Sequence, residues 1–247
     1  MPKAKRLRVF AGPNGSGKST LFQEISNKFN TGYFVNSDEI EQEISKTGYI
    51  NLEKFDLSLN QVDLDNFLQH NQSKSLLKKA IESGRPISIS LKENVIIDKS
   101  RDTHSYEASL ITSFIRHHLL EKRISYSFET VMSHVSKLDE IKDANDKDYK
   151  TYLYFVCLDD PSLNISRVQN RKEKGGHDVP EQKIVERYHR TLENLLPALL
   201  ICQKAYLFDN SGEKMVMIAE VFNAQVTLLV AENKIPSWFI EHVINKL

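Results

Sequence analysis

A chain of 247 residues with 40% hydrophobic content can bury one large core, or one core carrying an inserted subdomain. Lys+Arg and Asp+Glu balance at 33 each, which excludes a general electrostatic grip on duplex DNA or RNA, so any phosphate affinity has to be local. The two cysteines, Cys157 and Cys202, stand in apolar stretches without CxxC spacing; this disfavours a zinc site or a disulfide and suits buried thiols in a reducing compartment. No apolar run is long enough for a bilayer, and the opening MPKAKRLRVF passes from basic residues straight into a short strand. The expectation is a soluble cytoplasmic protein.

The first strand runs over Leu7 to Ala11 and leads into Gly12-Pro13-Asn14-Gly15-Ser16-Gly17-Lys18-Ser19-Thr20, which fits the phosphate-loop spacing GxxxxGK[ST]. Its glycines let successive N–H groups converge on phosphate oxygens, and the helix behind it adds a positive N-terminal end. Lys18 then reaches the β and γ phosphates and the Ser19 hydroxyl holds magnesium. Leu21, Phe22, Ile25 and Phe29 recur at helical spacing behind the loop. A second short strand, Tyr33-Phe34-Val35, ends in Asn36-Ser37-Asp38-Glu39, where Asn36 or Ser37 suits a helix N-cap and the two acids suit the first turn. Asp38 has a second reading. Ligands of an open parallel sheet collect at the carboxyl ends of its strands, where a carboxylate accepts a proton from an incoming hydroxyl.

From residue 46 to 104 the pattern loosens into an inserted cap, with a helical stretch over Val62 to Ser83 and a strand at Ile87 to Leu91. Tyr106 to Leu119 returns the chain to the sheet as a helix whose His117 and His118 are expected on the surface. Ile124 to Thr130 is the third core strand; its terminal Glu129 either binds magnesium, directly through Ser19 or through water, or caps the next helix. Ser136 to Lys150 reads as a charged, solvated helix or loop.

Thr151 to Leu158 is apolar throughout, as a doubly covered parallel strand should be. The helix after it carries Arg167 and Arg171 one turn apart, followed by Gly175-Gly176, a pattern for a lid that folds over a triphosphate. Asp178 and Glu181 begin a further helix with a stripe at Ile184, Tyr188, Leu192, Leu195 and Leu199, which Pro197 should kink or shorten. Ala205 to Phe208 is the fifth strand, and Asp209-Asn210-Ser211-Gly212 a turn that borders the nucleotide or merely reverses the chain. An apolar run at Val226 to Val230 and an amphipathic tail from Trp238 complete the chain.

Taken in order, AGPNGSGKST, VNSDEI, SFETVMS, RVQNRKEKGGHDVPEQKIVERYHRTLENL and YLFDNSG resemble the zeta-toxin and UDP-N-acetylglucosamine kinase family of P-loop kinases, together with its bacterial zeta-toxin-like ATPase relatives. Residues 46 to 104 lie outside the resemblance. It implies that Lys18 and Ser19 bind phosphate and magnesium, that Asp38 deprotonates a sugar hydroxyl, and that Glu129 and Thr130 lie near the metal and the acceptor. It also implies that Arg167 and Arg171 belong to the charge-stabilising lid; a toxin held inactive by a cognate antitoxin protein is a rival reading. The expected fold is a single kinase-type α/β domain over 1–247: a five-stranded, mostly parallel sheet of order 2-3-1-4-5 with helices on both faces. The expected function is magnesium-dependent transfer of the γ-phosphoryl group of ATP or GTP to a hydroxyl of a small molecule such as a nucleotide sugar. The alternative is a nucleotide-gated ATPase or switch without such an acceptor.

Overall fold

The structure is a computed structural model that describes residues 4–100, 103–173 and 179–247. In chain order the elements are β1 (Arg6–Ala11), α1 (Lys18–Ser26), β2 (Tyr33–Val35), α2 (Ser37–Thr47), β3 (Tyr49–Asn51), α3 (Gln61–Leu68), α4 (Asn71–Glu82), β4 (Ile89–Lys92), β5 (Val95–Asp98) and α5 (Ser105–Glu121). They continue with β6 (Tyr126–Thr130), α6 (Ser136–Asp146), β7 (Lys150–Cys157), α7 (Pro161–Glu173), α8 (Glu181–Glu193), α9 (Leu195–Ile201), β8 (Lys204–Asp209), β9 (Val216–Phe222), β10 (Gln225–Leu228) and α10 (Ser237–His242). The chain divides into two compact units, one made of residues 1–31 and 127–247 and the other of 32–126.

In the first unit the strands are ordered β10-β9-β8-β7-β1-β6. β1, β7 and β8 run parallel, with Val9 beside Leu153 and Leu153 beside Ala205. Parallel strands are covered on both faces and must be apolar on both, which is why Leu7, Val9, Phe10 and Ala11 in β1 and Leu153 to Cys157 in β7 are all buried. β9 and β10 extend the sheet antiparallel as a hairpin. On one face Phe10 stacks on Tyr154 at 4.8 Å and meets Phe22 of α1 edge-on at 5.2 Å. α1 ends at Ser26, so Phe29 is exposed and does not continue the apolar stripe. α8 and α9 break at Asn194, just ahead of Pro197, whose missing N–H and ring forbid a continuous helix there. Both cysteines are buried; burial pushes both thiols up, Cys202 to about 12.

β6 begins in the second unit at Tyr126, where β2 is its neighbour. Counted as five core strands, the order reads 2-3-1-4-5, as expected, with a mostly parallel central sheet. The expected cap region holds α3, α4 and a three-stranded antiparallel sheet, β3-β5-β4. α3 opens on a capping box between Asn60 and Asp63. α5 is the spine of this unit, with Ala108, Leu110, Ile111, Phe114, Ile115 and Leu119 all fully buried. His117 and His118, expected on the surface, are half-buried instead. His118 packs edge-on against Phe114 at 4.6 Å, because the apolar stripe of α5 is wider than its spacing suggests. Among the described residues no helix is long and apolar enough to cross a membrane.

Candidate active site

The loop from Gly12 to Gly17 joins the carboxyl end of β1 to α1. Gly12, Gly15 and Gly17 have φ of 147°, 73° and 104°, a region in which a side chain is strained. α1 starts at Lys18 with Gly17 as its cap, no side chain closing its end, and no acid in its first turn. A helix end without a side-chain cap is the arrangement that an anion completes. Among the described residues, the buried Asn14 Oδ1 and Ser16 Oγ atoms have no hydrogen-bond partner. Uncapped amides, orphaned polar atoms and a glycine cradle together fit a bound phosphate chain.

Lys18 is buried and its Nζ donates to the Pro13 carbonyl at 2.9 Å, so the ammonium is curled back over the loop. Glu129, at the end of β6, lies 3.9 Å from Lys18 Nζ. Its carboxylate accepts from the Ser19 hydroxyl, with oxygen separations of 3.1 and 2.9 Å. Oxygen donors on a serine and a carboxylate, beside a phosphate loop, suit a hard divalent cation such as magnesium. Among the described residues no group of three or more His, Cys, Asp or Glu is placed to hold a metal, so a cation here would rest on Ser19, Glu129 and the phosphates themselves. Thr130 accepts from the Met132 N–H at 3.0 Å, which shapes the turn after β6. Thr20 is exposed on the first turn of α1.

Arg167 and Arg171 both lie on α7, as expected. Arg167 is half-buried and donates to the Asn210 carbonyl at 2.8 Å, whereas Arg171 is exposed in the last turn. Gly175-Gly176 and Asp178 lie outside the described residues. Asp38 belongs to the second unit, exposed in the first turn of α2, where its N–H donates to the Asn36 cap at 2.8 Å. Next to it Ser37 and Thr112 share a hydroxyl contact of 3.1 Å.

Two residues at the loop were not singled out individually from sequence. Asn164 on α7 donates to the Asn14 carbonyl at 2.5 Å, and Asn210 donates to the Ser16 carbonyl at 2.8 Å. The available signal for Asn164 was its place one turn before Val168 on the buried side of α7, where a polar side chain needs a partner. Asn210 was visible only as part of a turn.

No protein-family model matches the chain, and no curated protein matches it either. Among solved structures, a chain of the AvrRxo1-ORF1:AvrRxo1-ORF2 complex with ATP superposes with a TM-score of 0.53 at 16% identity, over 92% of this chain and 61% of that one. The same complex with sulphate ions gives 0.53 at 15% identity, over 94% and 63%. A chain of the PezAT chromosomal toxin-antitoxin system of Streptococcus pneumoniae gives 0.49 at 13% identity, over 88% and 72%. The chain thus spans about three fifths of the length of the AvrRxo1 chains it resembles. Strand order, loop and likeness agree on one conclusion: this is a P-loop kinase-like α/β fold.

Proposed function

We propose that the chain is a magnesium-dependent phosphotransferase that moves the γ-phosphoryl group of ATP or GTP to a hydroxyl of a small molecule, with a nucleotide sugar such as UDP-N-acetylglucosamine as the leading acceptor. The observation that carries the proposal is the joining of Lys18, Ser19 and Glu129 at an uncapped helix end behind a glycine cradle. The ATP in the AvrRxo1 complex supports the nucleotide part.

The loop amides from Gly12 to Thr20 bind the phosphates, and Lys18 swings from the Pro13 carbonyl to the β and γ oxygens. Ser19 and Glu129 would hold magnesium, which when bound offsets charge on the β and γ phosphates. Thr130 and Glu129 border the acceptor. Asp38, just beyond the carboxyl end of β2, takes the acceptor's hydroxyl proton. The acceptor oxygen then bonds to the γ phosphorus while the bond from that phosphorus to the β,γ-bridging oxygen breaks, and the nucleoside diphosphate leaves with those electrons. Arg167 and Arg171 bring positive charge to the transferring group. A cognate protein partner of antitoxin type belongs to the same proposal, since the AvrRxo1 chain was solved as a two-component complex.

The test incubates the full chain with magnesium, ATP and a metabolite pool containing UDP-N-acetylglucosamine, read by mass spectrometry beside Lys18→Ala and Asp38→Ala. A phosphorylated acceptor that vanishes in both variants is the expected result. Free phosphate with no phosphorylated acceptor, unchanged in Asp38→Ala, would replace the kinase by a nucleotide-driven switch.

A further inference from the structure

We propose that Asn164 and Asn210 are positioning residues that hold the phosphate loop in its anion-binding shape, and that Arg167 locks Asn210 in place; this deepens the phosphate-loop reading above and rests on it. A loop whose N–H groups converge on a ligand must turn its carbonyls away from it, into the protein, where each needs a donor. The chain supplies those donors from two distant segments. Asn164, fully buried on α7, donates to the Asn14 carbonyl, and Asn210, in the turn after β8, donates to the Ser16 carbonyl. The Pro13 carbonyl receives the Ser16 N–H at 3.3 Å together with Lys18 Nζ.

Two loop glycines make room for this bracing. A Cβ on Gly15 would stand 2.9 Å from the Asn164 carbonyl oxygen and 3.4 Å from the Arg167 Cβ, and one on Gly17 would stand 2.6 Å from Asn210 Nδ2. The turn that carries Asn210 is itself tied on several sides. Arg167 donates to the Asn210 carbonyl, the Asn210 N–H donates to the Cys157 carbonyl at 2.9 Å, and the indole N–H of Trp238 donates to Asp209 at 3.1 Å. The loop, α7 and α10 are therefore linked by side chains through one short turn. Removing an asparagine donor frees a carbonyl to rotate, and the peptide N–H turns with it, so the loss falls on phosphate affinity.

The sequence offers a reporter, because Trp238 is the only tryptophan and sits one residue from Asn210 through the Asp209 contact. The experiment titrates the full chain, Asn164→Asp, Asn210→Asp, Arg167→Ala and Lys18→Ala with Mg·ATP and Mg·ADP. Calorimetry reads affinity, tryptophan emission reads the turn, and melting without nucleotide controls for folding. In the unaltered chain emission should change with the same midpoint as binding. Each Asn→Asp variant, near-isosteric but without the donor, should bind both nucleotides about tenfold more weakly. The emission change should persist in Asn164→Asp and vanish in Asn210→Asp. Arg167→Ala, which removes only a half-buried side chain, keeps the test open if an asparagine variant fails to fold: it should weaken binding and lose the emission change. Combined with Asn210→Asp it should cost no more Mg·ADP affinity than Asn210→Asp alone, since ADP carries no transferring group for Arg167 to meet. Additive losses of Mg·ADP affinity would overturn the lock. Wild-type affinity in both asparagine variants, with binding lost in Lys18→Ala, would overturn the bracing while leaving the phosphate loop intact. Absence of nucleotide binding in the unaltered chain would overturn both.

Discussion

At the scale of single residues, the site is an electrostatic balance. Glu129 accepts from Ser19 and lies near Lys18, so one carboxylate holds two groups of the proposed phosphate and cation site. Glu129→Gln keeps the shape and removes the charge. The expected outcome is a loss of nucleotide turnover of about a hundredfold, with magnesium dependence shifted to higher concentration. The check is phosphate release across a magnesium titration, and unchanged turnover would remove Glu129 from the cation site. Lys18, Ser19 and Glu129 were legible in the sequence because the loop spacing names the first two and a strand-end acid suggests the third. Asn164 and Asn210 were not: each acts on a carbonyl more than a hundred positions away, and no local pattern encodes that pairing.

At the scale of elements, legibility follows burial. β1 and β7 were readable since a strand covered on both faces is a continuous apolar run. The β9–β10 hairpin was not, and its turn explains why. Asn223 and Ala224 both take positive φ, 47° and 62°, as a two-residue hairpin turn demands, yet Ala stands where glycine would have announced it. Glu93 and Asn94 turn the β4–β5 hairpin in the same way, again without glycine. Ala224→Gly should relieve about 1 kcal/mol of left-handed strain and raise the melting temperature by about 2–4 °C; a fall would show that Ala224 makes a compensating contact. α5 offers a second prediction. Burial, aided by the neighbouring charges of His117 and Lys122 and opposed by Asp63 and Glu121, pushes His118 down to about 4. Between about 6.5 and 4 the unfolded chain binds a proton there that the folded chain does not. Stability is therefore complete above that window and falls with pH inside it. Melting temperatures of the chain and His118→Leu should stay a constant distance apart above pH 6.5, and between about 6.5 and 4 the chain should lose stability that His118→Leu keeps; curves parallel over the whole range would refute it.

At the scale of the whole molecule, the first unit is assembled from the two ends of the chain, 1–31 and 127–247, with the second unit a single continuous segment of 95 positions from Gly32 to Tyr126. The phosphate loop near the N-terminus thus depends on residues near the C-terminus. Trp238, Phe239 and Val243 are all buried, and Trp238 packs against Phe155 of β7 at 5.7 Å. Trp238→Ala should cost about 3–5 kcal/mol, lowering the melting temperature by roughly 10 °C. Nucleotide affinity should fall with it, because the Asp209 turn loses an anchor. A stable variant with normal affinity would show that α10 is dispensable to the loop.

The sealed cysteines give the first unit a built-in clock. Cys157 and Cys202 both belong to it, both are hidden, and burial keeps both protonated, so a thiol reagent in solution finds no nucleophile while the unit stays closed. Labelling can proceed only during openings, and its rate counts them. Saturating nucleotide should slow that count if the phosphate loop and its distant braces close as one body. The same inertness leaves a cysteine introduced on the exposed side of α7 as the sole reactive thiol, ready to carry a single dye.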